Sequence, residues 1–295
     1  GKGRIDIYIK NETNLKLIKS LNKGVDLATG KYIARMDADD ISLPERFEKQ
    51  IEVFNAYKEI DIVNISPFLL EEDGKNYREI KPHMTLSFEA IKFLIPFQNF
   101  ICHPGVMIKS DILKKYKFKD DISAEHIEDF ELWNRILRDG HICYTIEKCL
   151  LLWRNNPANI TNTQNEKQIG RMYSSSSEIL KNDFNFKIKE SSFRALLGEK
   201  VNVNYTSLKD IDNALTEYFS IIKNNHPISS LACDEMELWR KRKLMFLALK
   251  SLSVNKPVRS LGIAFFLFYF SPAILNRGVR KFLFKTTNTR ELKTN

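Results

Sequence analysis

The run GKYIARMDADDISLPERFEKQ, residues 30–50, decides how this 295-residue chain is read. A short apolar segment, Tyr32-Ile33-Ala34, runs straight into Asp37, Asp39 and Asp40, three carboxylates within four positions. Like charges this close repel one another, and a turn that merely joins two elements gains little from them. A divalent cation removes the repulsion, and hard oxygen ligands suit Mg²⁺ or Mn²⁺. An ion left partly open by its protein ligands is placed to hold the phosphates of a substrate. A solvated turn is the bland alternative for an isolated Asp-x-Asp, so the flanking residues carry the decision. Behind the acids, Ser42-Leu43-Pro44-Glu45 combines a capping box with an early proline and predicts a helix from there to about Tyr57. The acids thus sit between the end of a strand and the start of a helix.

Outward from that point, strands and helices alternate. Ile5 to Ile9 alternates at the strand period, and Leu15, Ile18, Leu21, Val25 and Ala28 fall at helical spacing before Gly30. Residues Ile60 to Leu70 read as a strand, Glu71 to Lys75 as a turn, Glu89 to Phe97 as a helix and Val106 to Ile108 as a strand. Glu128 to Arg138 reads as a helix with Phe130, Trp133, Ile136 and Leu137 on one face. The alternation predicts an α/β domain whose mainly parallel sheet is covered by helices on both faces. Ligands of such sheets bind beyond the carboxyl ends of the strands, where the acidic loop falls. Hydrophobic residues at 43% and charged residues at 28% read as ordinary globular protein. Cys102, Cys143, Cys149 and Cys233 show no CxxC spacing and read as free thiols rather than a zinc site or disulfide framework. No Walker loop, GxGxxG turn or Ser-His-Asp triad is present in the sequence.

The longer segment Asn11 to Gln50 resembles the middle of family 2 glycosyltransferases, in one register throughout. The matching residues are Asn14, Asn22, Gly24, Ala28, Gly30-Lys31-Tyr32, Arg35, the acidic cluster, Pro44, Arg46 and Gln50. More weakly, the resemblance continues to about residue 160. It implies a nucleotide-sugar-dependent enzyme of the GT-A (Rossmann-like) fold, with Asp37-Ala38-Asp39 as its Asp-x-Asp motif. Asp37 and Asp39, joined by Asp40, would then hold Mn²⁺ or Mg²⁺. Lys31 and Arg35 either contact the donor diphosphate or balance the charge of Asp37. Family members carry further strands ahead of this segment, so the resemblance also implies a domain incomplete at its start. That leaves a second reading, an inactive remnant that presents a membrane- or partner-binding surface.

Three more segments gain meaning from the resemblance. Glu128-Asp129 ahead of Phe130-Glu131-Leu132-Trp133 matches the family pair that supplies the catalytic base, here Asp129. Its chemistry is removal of a proton from an acceptor hydroxyl as that oxygen attacks the anomeric carbon. Glu128 beside it would face the acceptor, although two acids in the first turn of a helix are also ordinary decoration. His103, in Asn99-Phe100-Ile101-Cys102-His103-Pro104-Gly105-Val106-Met107, matches a segment lining the acceptor side. It would hydrogen-bond a hydroxyl or phosphate, or else be a turn residue. Leu152-Trp153-Arg154-Asn155-Asn156 resembles a family segment in which aromatic-Arg precedes a histidine near the metal. Arg154 is then a diphosphate contact. Asn156 stands where that histidine often appears, and the departure puts a metal role for it in doubt. Without a Gln-x-x-Arg-Trp run, the resemblance implies transfer of single sugars rather than processive synthesis. Trp133, Trp153 and Trp239 read as core residues.

Net charge is +9, and its placement matters more than its size. Between Ser251 and Asn295, eight Lys/Arg face Glu291 alone, which puts +7 of the charge in this tail. The same tail carries the uncharged run Leu261 to Phe270, too short to span a bilayer. Basic residues around an apolar, aromatic stretch fit an anionic membrane surface better than nucleic acid. The alternative is a buried helix. Ahead of it, residues 168–180, 207–222 and 234–252 carry helical periodicity. The expected organisation is a catalytic domain over residues 1–164 and a mostly helical region over 165–295. The expected partners are a UDP-linked sugar, a saccharide or lipid-linked acceptor of bacterial surface-polysaccharide synthesis, and the cytoplasmic face of the plasma membrane. Phosphoryl or nucleotidyl transfer shares the acidic cluster but leaves the Asn11–Gly30 match unexplained.

Overall fold

The computed structural model describes residues 7–71, 76–79, 86–154, 156, 163–199, 203–252 and 290–291. Helix α1 (Lys16–Leu27) leads into strand β1 (Tyr32–Ala34), which ends at the acidic loop. Strand β2 (Ile41–Ser42) and helix α2 (Arg46–Ala56) follow, then strands β3 (Ile60–Leu70) and β4 (Asn76–Glu79). Helix α3 (Phe88–Leu94) continues into a 3₁₀ turn, Ile95–Phe97. A second 3₁₀ turn, His103–Gly105, precedes strand β5 (Met107–Lys109) and helix α4 (Ser110–Tyr116). Helix α5 (Glu128–Arg138) returns the chain to strand β6 (Ile142–Arg154). Beyond it lie helices α6 (Asn165–Phe184), α7 (Glu190–Leu196), α8 (Tyr205–Asn225) and α9 (Ser230–Leu252), and a two-residue strand β7 (Arg290–Glu291) on the edge of β4.

The expected α/β architecture is present, but the sheet is mixed rather than mainly parallel. Among the described residues only β3 and β6 pair in parallel; β1·β5, β3·β5, β3·β4, β2·β6 and β4·β7 are antiparallel. The reason is that β5 runs opposite to both its neighbours, β1 and β3. Those two strands and β6 consequently point the same way, and their carboxyl ends share one edge of the sheet. The acidic loop follows β1 at that edge, and Arg154 closes β6 there. Helix α5 ends beside the amino end of β6, so its own amino end, with Glu128 and Asp129, lies toward the same edge. The alternation thus places the acidic loop at the carboxyl edge of the sheet even though it misjudges the strand directions.

Two other expectations change. Ile7 to Ile9 is exposed and forms no strand, because no neighbouring strand takes its backbone hydrogen bonds among the described residues. Helix α2 starts at Arg46, and its Ncap residue Glu45 makes no side-chain cap. Ser42 is occupied elsewhere: Ile41–Ser42 pairs with Leu151–Leu152, and the Leu43 amide donates to the Leu150 carbonyl at 3.0 Å.

One apolar core runs through the domain and its helical extension, from Ile18 on α1 through Trp133 on α5 to Trp239 and Ala248 on α9. Buried polar contacts register the two parts. Tyr218 Oη donates to the Phe93 carbonyl at 2.9 Å, Ser176 Oγ to the Pro96 carbonyl at 2.8 Å, and Trp239 Nε1 to Gln98 Oε1 at 3.3 Å. Trp133 and Trp239 are core residues, as expected. All four cysteines are free. No helix among the described residues is long and apolar enough to cross a membrane. The apolar run Leu261 to Phe270 and its flanking Lys256, Arg259, Arg277, Arg280, Lys281 and Lys285 lie outside the described residues.

Candidate active site

The acidic loop is tied down from three sides. Its own turn closes with the Asp40 amide donating to the Asp37 carbonyl at 3.3 Å. From β6, the Arg154 amide donates to Asp40 Oδ1 at 2.9 Å, and Arg154 Nε donates to the Asp39 carbonyl at 2.9 Å. From beneath, fully buried Arg46 donates through Nη2 to the Arg35 carbonyl at 2.7 Å and through Nε to Gln50 Oε1 at 3.2 Å. Gln50 Nε2 in turn donates to the Val63 and Gly105 carbonyls at 3.1 and 2.9 Å. Arg46 and Gln50 thereby join β1, β3 and the turn before β5, which explains why a cation and an amide stand on the inner face of α2. Gly105 permits the close packing at that turn: a Cβ there would lie 2.5 Å from Ile65 Cγ1.

The three loop carboxylates have different environments. Asp37 is half-buried and held bidentately by Arg35, with Nη1 to Oδ2 at 2.6 Å and Nη2 to Oδ1 at 2.5 Å. Asp39 is exposed. Asp40 is buried, and its second oxygen, Oδ2, has no hydrogen-bond partner. Burial raises the Asp40 pKa to about 6, the Arg154 amide opposes that rise, and Asp37 and Asp39 add to it. Asp40 thus anchors the loop to β6 through Oδ1, while its buried Oδ2 stays unspent beside Asp37 and Asp39. Lys31 falls away from the site. It stands at the far end of β1 with its ammonium 5.2 Å from the Tyr32 ring centre, and an extended strand of this length carries it roughly 13 Å from Arg35. Arg154 is at the site, spending Nε on the loop backbone.

Asp129 sits in the first turn of α5, half-buried, and accepts from Asn99 Nδ2 at 2.8 Å. Its pKa is raised by burial, against the pull of the Phe130 amide and Asn99. Glu128 is buried, and its pKa is pushed up to about 7 by burial and by the neighbouring charge of Asp129. His103 is buried between the rings of Phe118 and Trp133, Nε2 has no hydrogen-bond partner, and burial holds its pKa well below 6.5. Ligand atoms of His103, Glu128 and Asp129 lie within 4.8 Å of one another. The loop carboxylates form no such three-residue group among the described residues. In this cluster Asp129 is the open member, with His103 and Glu128 packed beneath it.

Arg35 links the two groups of acids. Besides binding Asp37, its charge acts on Asp40, His103, Glu128 and Asp129. Asn99 gains its role only in the folded protein. It places Asp129, and its own side-chain oxygen accepts from the Ile101 amide at 3.0 Å. Asn64 holds the same loop, accepting from the Cys102 amide at 2.8 Å and donating to the Phe100 carbonyl at 3.0 Å. A buried asparagine inside a strand, at odds with its apolar neighbours, was the available signal.

Comparison with known proteins places this geometry. Residues 5–117 match the family model described as glycosyl transferase family 2. An uncharacterized glycosyltransferase of Methanocaldococcus jannaschii is 38% identical over 148 residues, 50% of this chain and 50% of the relative. The amylovoran biosynthesis glycosyltransferase AmsE of Erwinia amylovora is 33% identical over 136 residues, 46% and 49% of the two chains. The O-antigen biosynthesis glycosyltransferase WbnJ of Escherichia coli is 32% identical over 153 residues, 51% and 57% of the two. The chain thus spans about half the length of the curated relatives it matches. A solved structure of S. aureus TarS in complex with UDP-GlcNAc superposes with a TM-score of 0.40 and 14% identity, covering 79% of this chain and 67% of that one.

Proposed function

We propose that the protein, whose residues 5–117 match the family model described as glycosyl transferase family 2, is an inverting, metal-dependent glycosyltransferase. It takes a sugar from a UDP-linked donor and passes it to a saccharide or lipid-linked acceptor in surface-polysaccharide assembly. The observation that carries this reading is the meeting of two acid groups at the carboxyl edge of the sheet, with Arg35 acting on both. The names of two relatives, in amylovoran and O-antigen biosynthesis, support the substrate class.

The donor set of Asp37 and Asp39 is all hard oxygen and suits Mn²⁺ or Mg²⁺. The buried, unpartnered Asp40 Oδ2 adds a further acceptor beside them. When bound, such an ion offsets the charge that develops on the departing diphosphate. The remaining chemistry belongs to the chain. Asp129 accepts the proton of the acceptor hydroxyl while that oxygen attacks the anomeric carbon. The bond from carbon to diphosphate oxygen breaks on the opposite face, and the configuration inverts. Asn99 holds the carboxylate in place, and burial with the charge of Asp129 pushes the pKa of neighbouring Glu128 up to about 7. Arg154 stands where a fixed cation can meet the diphosphate.

The basic, apolar tail suits peripheral attachment to the anionic inner face of a plasma membrane, where a lipid-linked acceptor would lie. Co-flotation with anionic vesicles that weakens as salt rises is the expected behaviour, and equal binding to neutral vesicles would contradict it. For the enzyme itself, the test is release of UDP from a panel of UDP-sugars with Mn²⁺. Asp39→Ala should lower the rate about 100-fold, within the range for losing one preorganised electrostatic group. Equal rates in wild type and variant would reject the metal role.

A further inference from the structure

The guanidinium of Arg35 engages both oxygens of Asp37 at once, at 2.5 and 2.6 Å, taking one lone pair of each. The side chain of Arg35 is 11% exposed and that of Asp37 38% exposed, so the pair is only partly screened by water. In the same segment, Arg35 Nε and Asp40 Oδ2 are both buried and unpartnered. A finished structural ion pair would satisfy these atoms. This one is bidentate, yet it leaves Arg35 Nε and the neighbouring Asp40 Oδ2 unused.

We propose that Arg35 is a resident counter-ion for Asp37, occupying the carboxylate that a divalent cation needs and yielding it when the cation arrives. The inference rests on the metal reading above and deepens it by assigning Arg35 the role of a positioning residue. A released guanidinium has acids to turn toward, since Glu128 and Asp129 already lie within its electrostatic reach. It therefore moves between two sets of carboxylates instead of into water. The arrangement keeps the loop from carrying three uncompensated charges before a cation binds, and it weakens binding of a cation that arrives without a nucleotide. Bidentate contact is central to this. Lysine, a point charge on a flexible stem, could not hold both oxygens of Asp37 together.

Mn²⁺ binding to the whole chain without nucleotide, followed by electron paramagnetic resonance of the free ion, tests it. Arg35→Gln should bind Mn²⁺ about five-fold more tightly than wild type, the factor expected for removing a partly exposed competing ion pair. Arg35→Lys should fall between the two, and Asp37→Asn should abolish the gain. Circular dichroism establishes that each variant is folded. A folded Arg35→Gln that binds Mn²⁺ no more tightly, while Asp37→Asn still loses binding, overturns the role of Arg35 and leaves the metal site standing. Absence of Mn²⁺ binding in wild type and Arg35→Gln, with and without UDP, overturns both. Because removing any nearby cation favours Mn²⁺, Arg35→Lys is the decisive variant: it keeps the charge, so binding tighter than wild type marks loss of the bidentate contact, and binding equal to wild type overturns the role of Arg35.

Discussion

Replacing Arg46 with methionine probes the support beneath the acidic loop. Arg46 is fully buried and binds the Arg35 carbonyl at 2.7 Å, Gln50 Oε1 at 3.2 Å and, more weakly, the Val106 carbonyl at 3.4 Å. Methionine fills much of the space but donates nothing, so two close acceptors lose their partner. Each buried acceptor left unsatisfied costs about 1–3 kcal/mol. Breaking a buried charged network usually costs roughly 3–5 kcal/mol. Two features reduce the loss: Arg46 Nη1 has no partner, and burial lowers the pKa of the guanidinium, so the cation itself sits at some expense. The expected net loss is about 3 kcal/mol. Urea unfolding followed by tryptophan fluorescence and by far-ultraviolet circular dichroism measures it, provided the two transitions coincide and the slope is unchanged. Arg46→Gln, which restores one donor, should recover part of the loss. A loss below about 1 kcal/mol for Arg46→Met would refute the view that this network holds the loop.

Two further outcomes follow from the same region. Gly105→Ala sets a Cβ 2.5 Å from Ile65 Cγ1 and 2.9 Å from Cδ1, so it should destabilise the protein by about 1–3 kcal/mol in the same urea assay. Unchanged stability would mean that Ile65 has room to move. For Glu128, the folded pKa near 7 lies above the ordinary 4.5, so the folded chain binds a proton that the unfolded chain has released. Its contribution to stability must then fall as pH rises from about 4.5 to about 7 and stay flat above. Glu128→Gln should remove that slope and add about 2 kcal/mol at pH 8, a value held below the full linkage figure because Glu128 and Asp129 titrate together. Parallel stability–pH curves for the two proteins would contradict the assignment.

Much of this architecture could be read from residue patterns. Strand β3 and helix α5 fall at the expected bounds, Ile60–Leu70 and Glu128–Arg138, because a predominantly apolar, β-branched stretch and a clear apolar face leave little choice. Strand β6 could not be read so easily, since Glu147-Lys148 interrupts its apolar pattern. The register against β3 steps from Ile65↔Ile146 to Ser66↔Cys149, which leaves both charged residues outside the pairing. Lys148 then reaches Glu45 at 2.7 Å. Strand direction was hidden for another reason: short antiparallel β5 carries no mark of the way it inserts between β1 and β3.

The site was legible as residue types and not as contacts. The acidic run and Glu128-Asp129 stand out by charge alone. That Asp40 turns inward to the Arg154 amide depends on residues 114 positions apart. The link from Asn99 to Asp129 crosses 30 positions and likewise has no local signature. Lys31 shows the opposite error, since nearness in sequence to Asp37 gave it a role that an extended strand denies.

The most direct measurement compares wild type and Asp129→Asn in acceptor-dependent sugar transfer from a UDP-sugar, with UDP-sugar affinity measured on the same samples. Asparagine keeps the size of the side chain and can still bond Asn99 through its oxygen, but it cannot take up the proton. Transfer should fall by about 100- to 10,000-fold while donor affinity stays within about three-fold. Transfer at the wild-type rate, or a loss confined to donor affinity, would contradict the assignment of Asp129 as the base and the account built on it.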